Sequence, residues 1–390
     1  MPFRVQGGDV KDIFVTEEEL IERFTGKQLW MWGYGACAQI GDNFCVSRSS
    51  PVQTISGGVD WKSASAGSFQ TAATKTDGTL WMWGFGTNGQ LGNNSTLNLS
   101  SPVQTISGGT NWRTVSAGDH TAAIKTDGTL WLWGPGAFGR LGNNAITDRS
   151  SPVQTISAGT NWQSVNVNAC HTVATKTDGT LWLWGNGPLG QLGNNAITGP
   201  RSSPVQTISG GTNWRSASTG REHTVATKTD GTLWTWGSGT QGQLGNNATT
   251  NRSSPVQTVS GGTNWRSVDA DGCHTAAIKT DGTLWLWGKG NDGILGAGHL
   301  GNNSTTNRSS PVQTISGGTN WRSVSVGYNH TTATKTDGTL WTWGVGSVGR
   351  LGDITLINRS SPVQTISGGT NWRTVNAGRG HNAATRLEEF

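Results

Sequence analysis

The stretch Leu29-Trp30-Met31-Trp32-Gly33 decides the fold. Its pattern, Leu-Trp-x-Trp-Gly, returns six more times, ending at Gly84, Gly134, Gly185, Gly237, Gly288 and Gly344. A lone Trp after Asp or Asn falls between these stretches, at Trp61, Trp112, Trp162, Trp214, Trp265, Trp321 and Trp372. Together they account for all 21 Trp of the 390 residues. A period of about 51 residues signals a solenoid, a propeller or an array. The repeat that begins at Pro362 runs through Trp372 to Thr385 but lacks its Leu-Trp-x-Trp-Gly piece. The chain opens with that very piece. One N-terminal strand therefore completes the blade begun at the C-terminus, which closes a ring and removes open sheet edges.

Each repeat supplies four strands. In one of them, Val103 to Ile106, Trp112 to Ala117, Thr121 to Lys125 and Thr129 to Trp133 are short β-branched and aromatic runs bounded by Gly, Asn and Asp. Asp127-Gly128 is a strong hairpin signal. Side chains alternate along a strand, so Trp131 and Trp133 share one face and Leu130 and Leu132 the other. Both faces need cover, which neighbouring blades provide. Trp81, Trp83, Trp112, Trp131 and Trp133 are thus expected to be structural. The fold expected is all-β, a seven-bladed β-propeller of four-stranded antiparallel blades over residues 27–390, preceded by an arm, residues 1–26.

These motifs resemble the RCC1 (regulator of chromosome condensation) repeat family from Pro51 to the end, with the first strand at Leu29. The likeness rests on Leu-Trp-x-Trp-Gly, on Gly-x-Leu-Gly as in Gly89 to Gly92, and on Ala-Gly-x-His-Thr as in Ala117 to Thr121. It implies a seven-bladed propeller and leaves function open, because members range from nucleotide exchange on a small GTPase to enzyme inhibition and scaffolding. The regular Thr/Asn-rich repeats look more like bacterial and phage members than the nuclear exchange factor.

No chemistry stands out. Only 13% of residues are charged, the net charge is +5, and the basic residues do not cluster. A nucleic-acid surface needs a basic patch, so none is expected. No segment approaches a membrane span or an apolar leader, so neither membrane insertion nor signal-peptide secretion is expected. Cys37 and Cys45 share a loop that a disulfide could bridge, whereas Cys170 and Cys273 lie in distant repeats. His120, His171, His223, His274, His330 and His381 occupy matching places, with Gln70 in the first blade. One per blade spreads them around a ring, whereas zinc ligands must converge within roughly 2.0 to 2.2 Å of the ion. They are expected to be structural, with no metal and no cofactor. No triad emerges, and the protein is expected not to be an enzyme.

The repeats differ mainly in two places: the pair before each His and the loop after each Trp-Gly. Strand counting puts both on one end, and the near-constant Thr-Asp-Gly and Gly-Gly-Thr-Asn turns on the other. Variable loops on a rigid scaffold commonly display binding residues. Tyr34, Phe85, Phe138, Leu189, Arg221, Lys289, Tyr328 and Arg379 are the candidate partner-binding residues. The longest loop, between the fifth and sixth blades, adds Gly298-His299-Leu300 and neighbours to the stretch Lys289 to Ile294.

The arm carries six acidic and three basic residues, a net of −3 against +8 elsewhere. Thr16-Glu17-Glu18-Glu19 fits a capping box, with Val15 and Leu20 as a hydrophobic staple. A helix from Glu17 to Phe24 would show Leu20, Ile21 and Phe24 on one apolar side, for docking or for packing on the ring. Uniform repeats, no leader and an extra arm point to a phage virion component, surface or tail-associated and anchored by that arm. The expected location is the virion, otherwise the cytoplasm, and the expected partners are other virion proteins in a multi-copy assembly and a host-surface glycan. The alternatives are a bacterial RCC1-like adaptor or protein inhibitor, then a guanine-nucleotide exchange factor or a glycan-binding module.

Overall fold

A computed structural model describes residues 26–388 apart from 107–108, 158, 198 and 292–297. Seven four-stranded antiparallel sheets form a closed β-propeller. The second blade shows the pattern: an inner strand Trp112–Ala117, then Thr121–Lys125, then Leu130–Gly134, then an outer strand Arg149–Gln154. Asp127-Gly128 makes the tight turn between the middle strands, and Gly128 has the positive φ that this turn requires.

Blade membership differs from the sequence grouping. The Pro-Val-Gln strand Leu99–Gln104 pairs with Leu80–Gly84, so it ends the preceding blade instead of beginning the one that contains Trp112. Ring closure therefore goes one strand further than expected. Lys27–Gly33 and Arg48–Gln53 both join Trp372–Ala377 and His381–Leu387, two strands from each end of the chain.

The blades hold together by burial across their faces. Leu80, Met82 and Leu91 of the first blade pack with Trp112 and Trp133 of the second. On the second blade's other face, Leu130, Leu132 and Leu141 meet Trp162 and Trp184 of the third. Trp131 is half-buried against the same first-blade cluster. Burying a side chain of this kind contributes roughly 1.5 to 3 kcal/mol, and the arrangement is repeated around the ring.

The turn end repeats almost unchanged because one packing unit fills it. Lys75, Lys125, Lys176, Lys228, Lys279 and Lys335 each place Nζ 4.5 to 5.0 Å from two Trp ring centroids of their own blade. Arg386 takes this place in the closing blade, its guanidinium 5.7 Å from the Trp30 and 5.5 Å from the Trp372 ring centroid. Cation–π contacts of this kind are worth about 0.5 to 2 kcal/mol each.

Candidate functional site

The loop end is built on two rings of hydrogen bonds. On the inner strands, Ser65, Ser116, Asn166, Ser218, Asp269, Ser325 and Asn376 each accept a backbone N–H from the next blade, at 2.6 to 3.2 Å. Among the described residues this belt has seven links and no gap.

The second ring uses the histidines. Nε2 of His120, His171, His223, His274 and His381 lies 2.7 to 3.1 Å from Oγ1 of Thr172, Thr224, Thr275, Thr331 and Thr71, each in the next blade. Each threonine hydroxyl also donates to a loop carbonyl, for example Thr172 to Arg140 at 2.9 Å. With its proton committed there, the threonine oxygen must accept, so the histidine carries its proton on Nε2. His330 finds Asn382 instead, whose amide does both jobs: Oδ1 accepts from His330, and Nδ2 donates to the Arg350 carbonyl. Gln70 Nε2 donates to the Gly118 carbonyl at 2.7 Å. Burial drives these imidazoles neutral, with the pKa of His171, His223, His330 and His381 lowered to about 3.

The loop carbonyls belong to the second residue of Gly-x-Leu-Gly, or of Ala38-Gln39-Ile40-Gly41 in the closing blade. Each also accepts a Trp Nε1–H of the following blade at 2.9 to 3.1 Å, for example Gln90 from Trp133. This identifies the insertion in the fifth blade. Gly298-His299-Leu300-Gly301 occupies the common motif position, because Trp343 donates to the His299 carbonyl. The extra residues are upstream, and Ile294 lies outside the described residues.

Inside these rings a cavity of about 360 Å³ lies at the axis, lined by the inner strands and adjacent loops of all seven blades. Contacts cross its mouth and skip a blade. Asn168 donates to Asp271 at 2.7 Å, and Arg221 donates to the Tyr328 hydroxyl at 2.9 Å. Burial raises the Asp271 carboxyl to about 7 against the opposing hydrogen bonds from Asn168 and the Gly272 N–H, and burial raises Asp269 too.

Beside the mouth runs a connected aromatic and basic ladder. Phe69 stacks edge-on with Tyr34 at 6.3 Å and with Phe85 at 6.1 Å. The Arg379 guanidinium sits 5.2 Å from both the Phe69 and the Tyr328 ring centres. Of the candidate binding residues, Tyr34, Phe85, Arg221, Tyr328 and Arg379 thus belong to one surface. Phe138, Leu189 and Lys289 are on other loops of the same end, outside this ladder; Phe138 is exposed and has a φ of 63°. Phe69 is the hub that the candidate set omits; its only sequence signal is an aromatic residue in a variable pair.

Leu20, Ile21 and Phe24 lie outside the described residues. Cys37, Cys45, Cys170 and Cys273 are all free thiols, so the possible Cys37–Cys45 bridge is not formed. Among the described residues, no three His, Cys, Asp or Glu side chains gather as a metal site would need.

Blade number and strand order define a closed seven-bladed β-propeller. Residues 28–384 match the RCC1-like domain, and the chain belongs to that family. It is 30% identical over 355 residues to the Arabidopsis thaliana ultraviolet-B receptor UVR8, covering 87% of this chain and 77% of that protein. It is 26% identical to a Caenorhabditis elegans homolog of the X-linked retinitis pigmentosa GTPase regulator, covering 91% of this chain but 25% of that protein. The solved structure of Prp20p from Saccharomyces cerevisiae, described with its binding properties to Gsp1p and histones, superposes with a TM-score of 0.80. That match is 17% identical and covers 97% of this chain and 96% of that one, a likeness of fold alone.

The relatives are plant, animal and yeast proteins, and they overturn the phage virion reading. The virion location, the multi-copy virion partners and the host-surface glycan fall with it. Uniform repeats reflect the packing of the ring and carry no information about a virion.

Proposed function

We propose that the protein is a non-catalytic adaptor or inhibitor that holds one protein partner on the loop end of the propeller. The observation that carries this reading is the asymmetry between the two ends. One end repeats the same Trp-Lys-Trp unit in six blades, with arginine in the seventh. The other changes from blade to blade and gathers Tyr34, Phe69, Phe85, Tyr328, Arg221 and Arg379 at and beside the mouth of the axial cavity. Aromatic and arginine side chains are those that most often dominate binding energy at protein interfaces. The adaptor reading does not depend on the Thr/Asn-rich regularity that suggested a bacterial-type member.

A second reading has support from the relatives, one of which is named as a GTPase regulator homolog. In that case the partner on the loop end is a small GTPase, and the propeller acts as an exchange factor. Adding the purified chain to small GTPases loaded with a fluorescent nucleotide separates the two. Accelerated nucleotide release selects the exchange factor. Stable complex formation without release selects the adaptor or inhibitor. Absence of any partner whose binding depends on the loop end removes both.

A further inference from the structure

The fold gathers charge that the sequence spreads along the chain. The inner strand of every blade opens with a buried Trp, followed by Lys62, Arg113, Gln163, Arg215, Arg266, Arg322 or Arg373. Each of these is the extra residue of a bulge. Trp112 pairs with Lys125 and Thr114 with Ile124, so Arg113 has no opposite number, and the register slips in the same way in the other six blades. A bulge takes its extra residue out of the ladder and re-aims the side chain. The inner strands surround the propeller axis, and their Trp ends lie at the turn end. Six cations in seven positions therefore encircle the axis there. Lys62 and Arg215 are exposed, and the other four are half-buried.

The fold holds these cations in place without neutralising them. Arg113 Nη2 donates to the carbonyls of Trp162 and Gln163 at 2.8 and 2.9 Å, and Arg266 Nη2 donates to those of Trp321 and Arg322 at the same distances. Each guanidinium thus lies along the inner strand of the next blade, and a carbonyl brings no net charge. The acids of this end are engaged elsewhere. The carboxylate of each Asp-Gly turn accepts from the Thr two residues on, as Asp127 does from the Thr129 N–H and hydroxyl. Asp60 pairs with Lys75 at 3.1 Å. The six turn carboxylates and Asp60 are equal in number to the cations held between Trp pairs, six Lys and Arg386. Among the described residues this leaves the six bulge cations against Glu388.

We propose that the turn end of the propeller axis binds a compact, multiply phosphorylated anion, held by the ring of bulge cations. A closed ring suits a compact anion, which several cations reach at once, whereas an extended nucleic-acid strand meets only one sector of it. Guanidinium groups take phosphate oxygens through paired N–H donors, and the Lys62 ammonium adds a point charge. This site lies at the opposite end from the partner-binding loops and does not depend on them.

The test is isothermal titration calorimetry of the full-length chain with inositol hexakisphosphate and with tripolyphosphate, at about 150 mM salt, where isolated surface charges are largely screened. The variant is Lys62→Gln/Arg215→Gln, which the fold tolerates because the third blade already carries Gln163 at this position. Phe69→Ala/Arg379→Ala at the loop end is the control. The expected result is saturable one-to-one binding by the unsubstituted chain, weaker by at least about ten-fold in the first variant and unchanged in the control. Either probe bound in this way supports the proposal, and the tighter one names the source of the phosphate. No saturable binding, or equal affinity in all three proteins, overturns it. Duplex DNA that displaces the probes with an affinity rising with its length also overturns it and assigns the ring to nucleic acid.

Discussion

Asn376 Oδ1 accepts the backbone N–H of Ala66 at 2.6 Å across 310 residues of sequence. It is the link of the inner belt that joins the last blade to the first. The other six links run between blades adjacent in the chain, so this bond, the His381–Thr71 bond of the second ring and the shared sheet of the closing blade make an open row into a ring.

Replacing Asn376 by Ala leaves the Ala66 N–H without its acceptor at a buried position. An orphaned buried donor costs about 1 to 3 kcal/mol, and urea denaturation of Asn376→Ala should show a loss of that size. Asn376→Ser restores an acceptor of the kind that Ser65, Ser116, Ser218 and Ser325 provide, so it should recover most of the loss.

The histidine ring makes the propeller sensitive to acid. Each of the six titrates from 6.5 when unperturbed, and burial lowers all of them in the fold, four to about 3. Between these values the unfolded chain takes up protons that the fold refuses. Stability is therefore present above pH 6.5 and lost as pH falls toward 3, by up to about 1.4 kcal/mol per pH unit for each histidine. Asp271 and Asp269 act in the opposite sense, since their carboxyls are raised, but they are two against six. Denaturation midpoints measured from pH 7 to pH 4 should fall steeply. A flat profile would show that the imidazoles are not held neutral.

Val348 has a φ of 58° in the tight loop of the sixth blade, a region that a β-branched residue enters at a cost of about 1 to 2 kcal/mol. Val348→Gly removes that strain and gives back part of it as unfolded-chain entropy. Thermal unfolding should move upward by a few degrees, for a net gain of about 0.5 to 1 kcal/mol. A lower midpoint would mean that the Val348 side chain contributes more by contact than it costs in strain.

Much of this was legible in the sequence. The Trp spacing and the split last repeat establish seven blades and closure, because hydrophobic period and Asp-Gly turns are local signals. Strand partnership is not local. The run around Val103 reads equally well as a first or a last strand, and only its pairing with Leu80–Gly84 decides. In the fifth blade, Gly293-Ile294-Leu295-Gly296 matches the loop motif as well as Gly298-His299-Leu300-Gly301 does. Only the donation from Trp343 selects the second. The loop end was visible as variation, but the hub role of Phe69 depends on Tyr34, Phe85 and Arg379 converging from separate segments. Cellular role is not legible in the repeats, because their uniformity is a property of the packing and carries no sign of origin.

The partner-binding role of the loop end is tested most directly by the dissociation constant for the protein partner that the full-length chain recovers. The measurement compares two sets of substitutions. Phe69→Ala, Phe85→Ala, Tyr328→Ala and Arg379→Ala together remove the ladder. Ile156→Ser, Ile208→Ser, Ile315→Ser and Ile366→Ser change exposed positions that follow the outer strands, at the turn end. The first set should weaken binding by at least about 100-fold, some 2.7 kcal/mol, while the second leaves it unchanged. Unchanged binding in the first set, with loss in the second, would place the partner on the turn end and contradict the assignment.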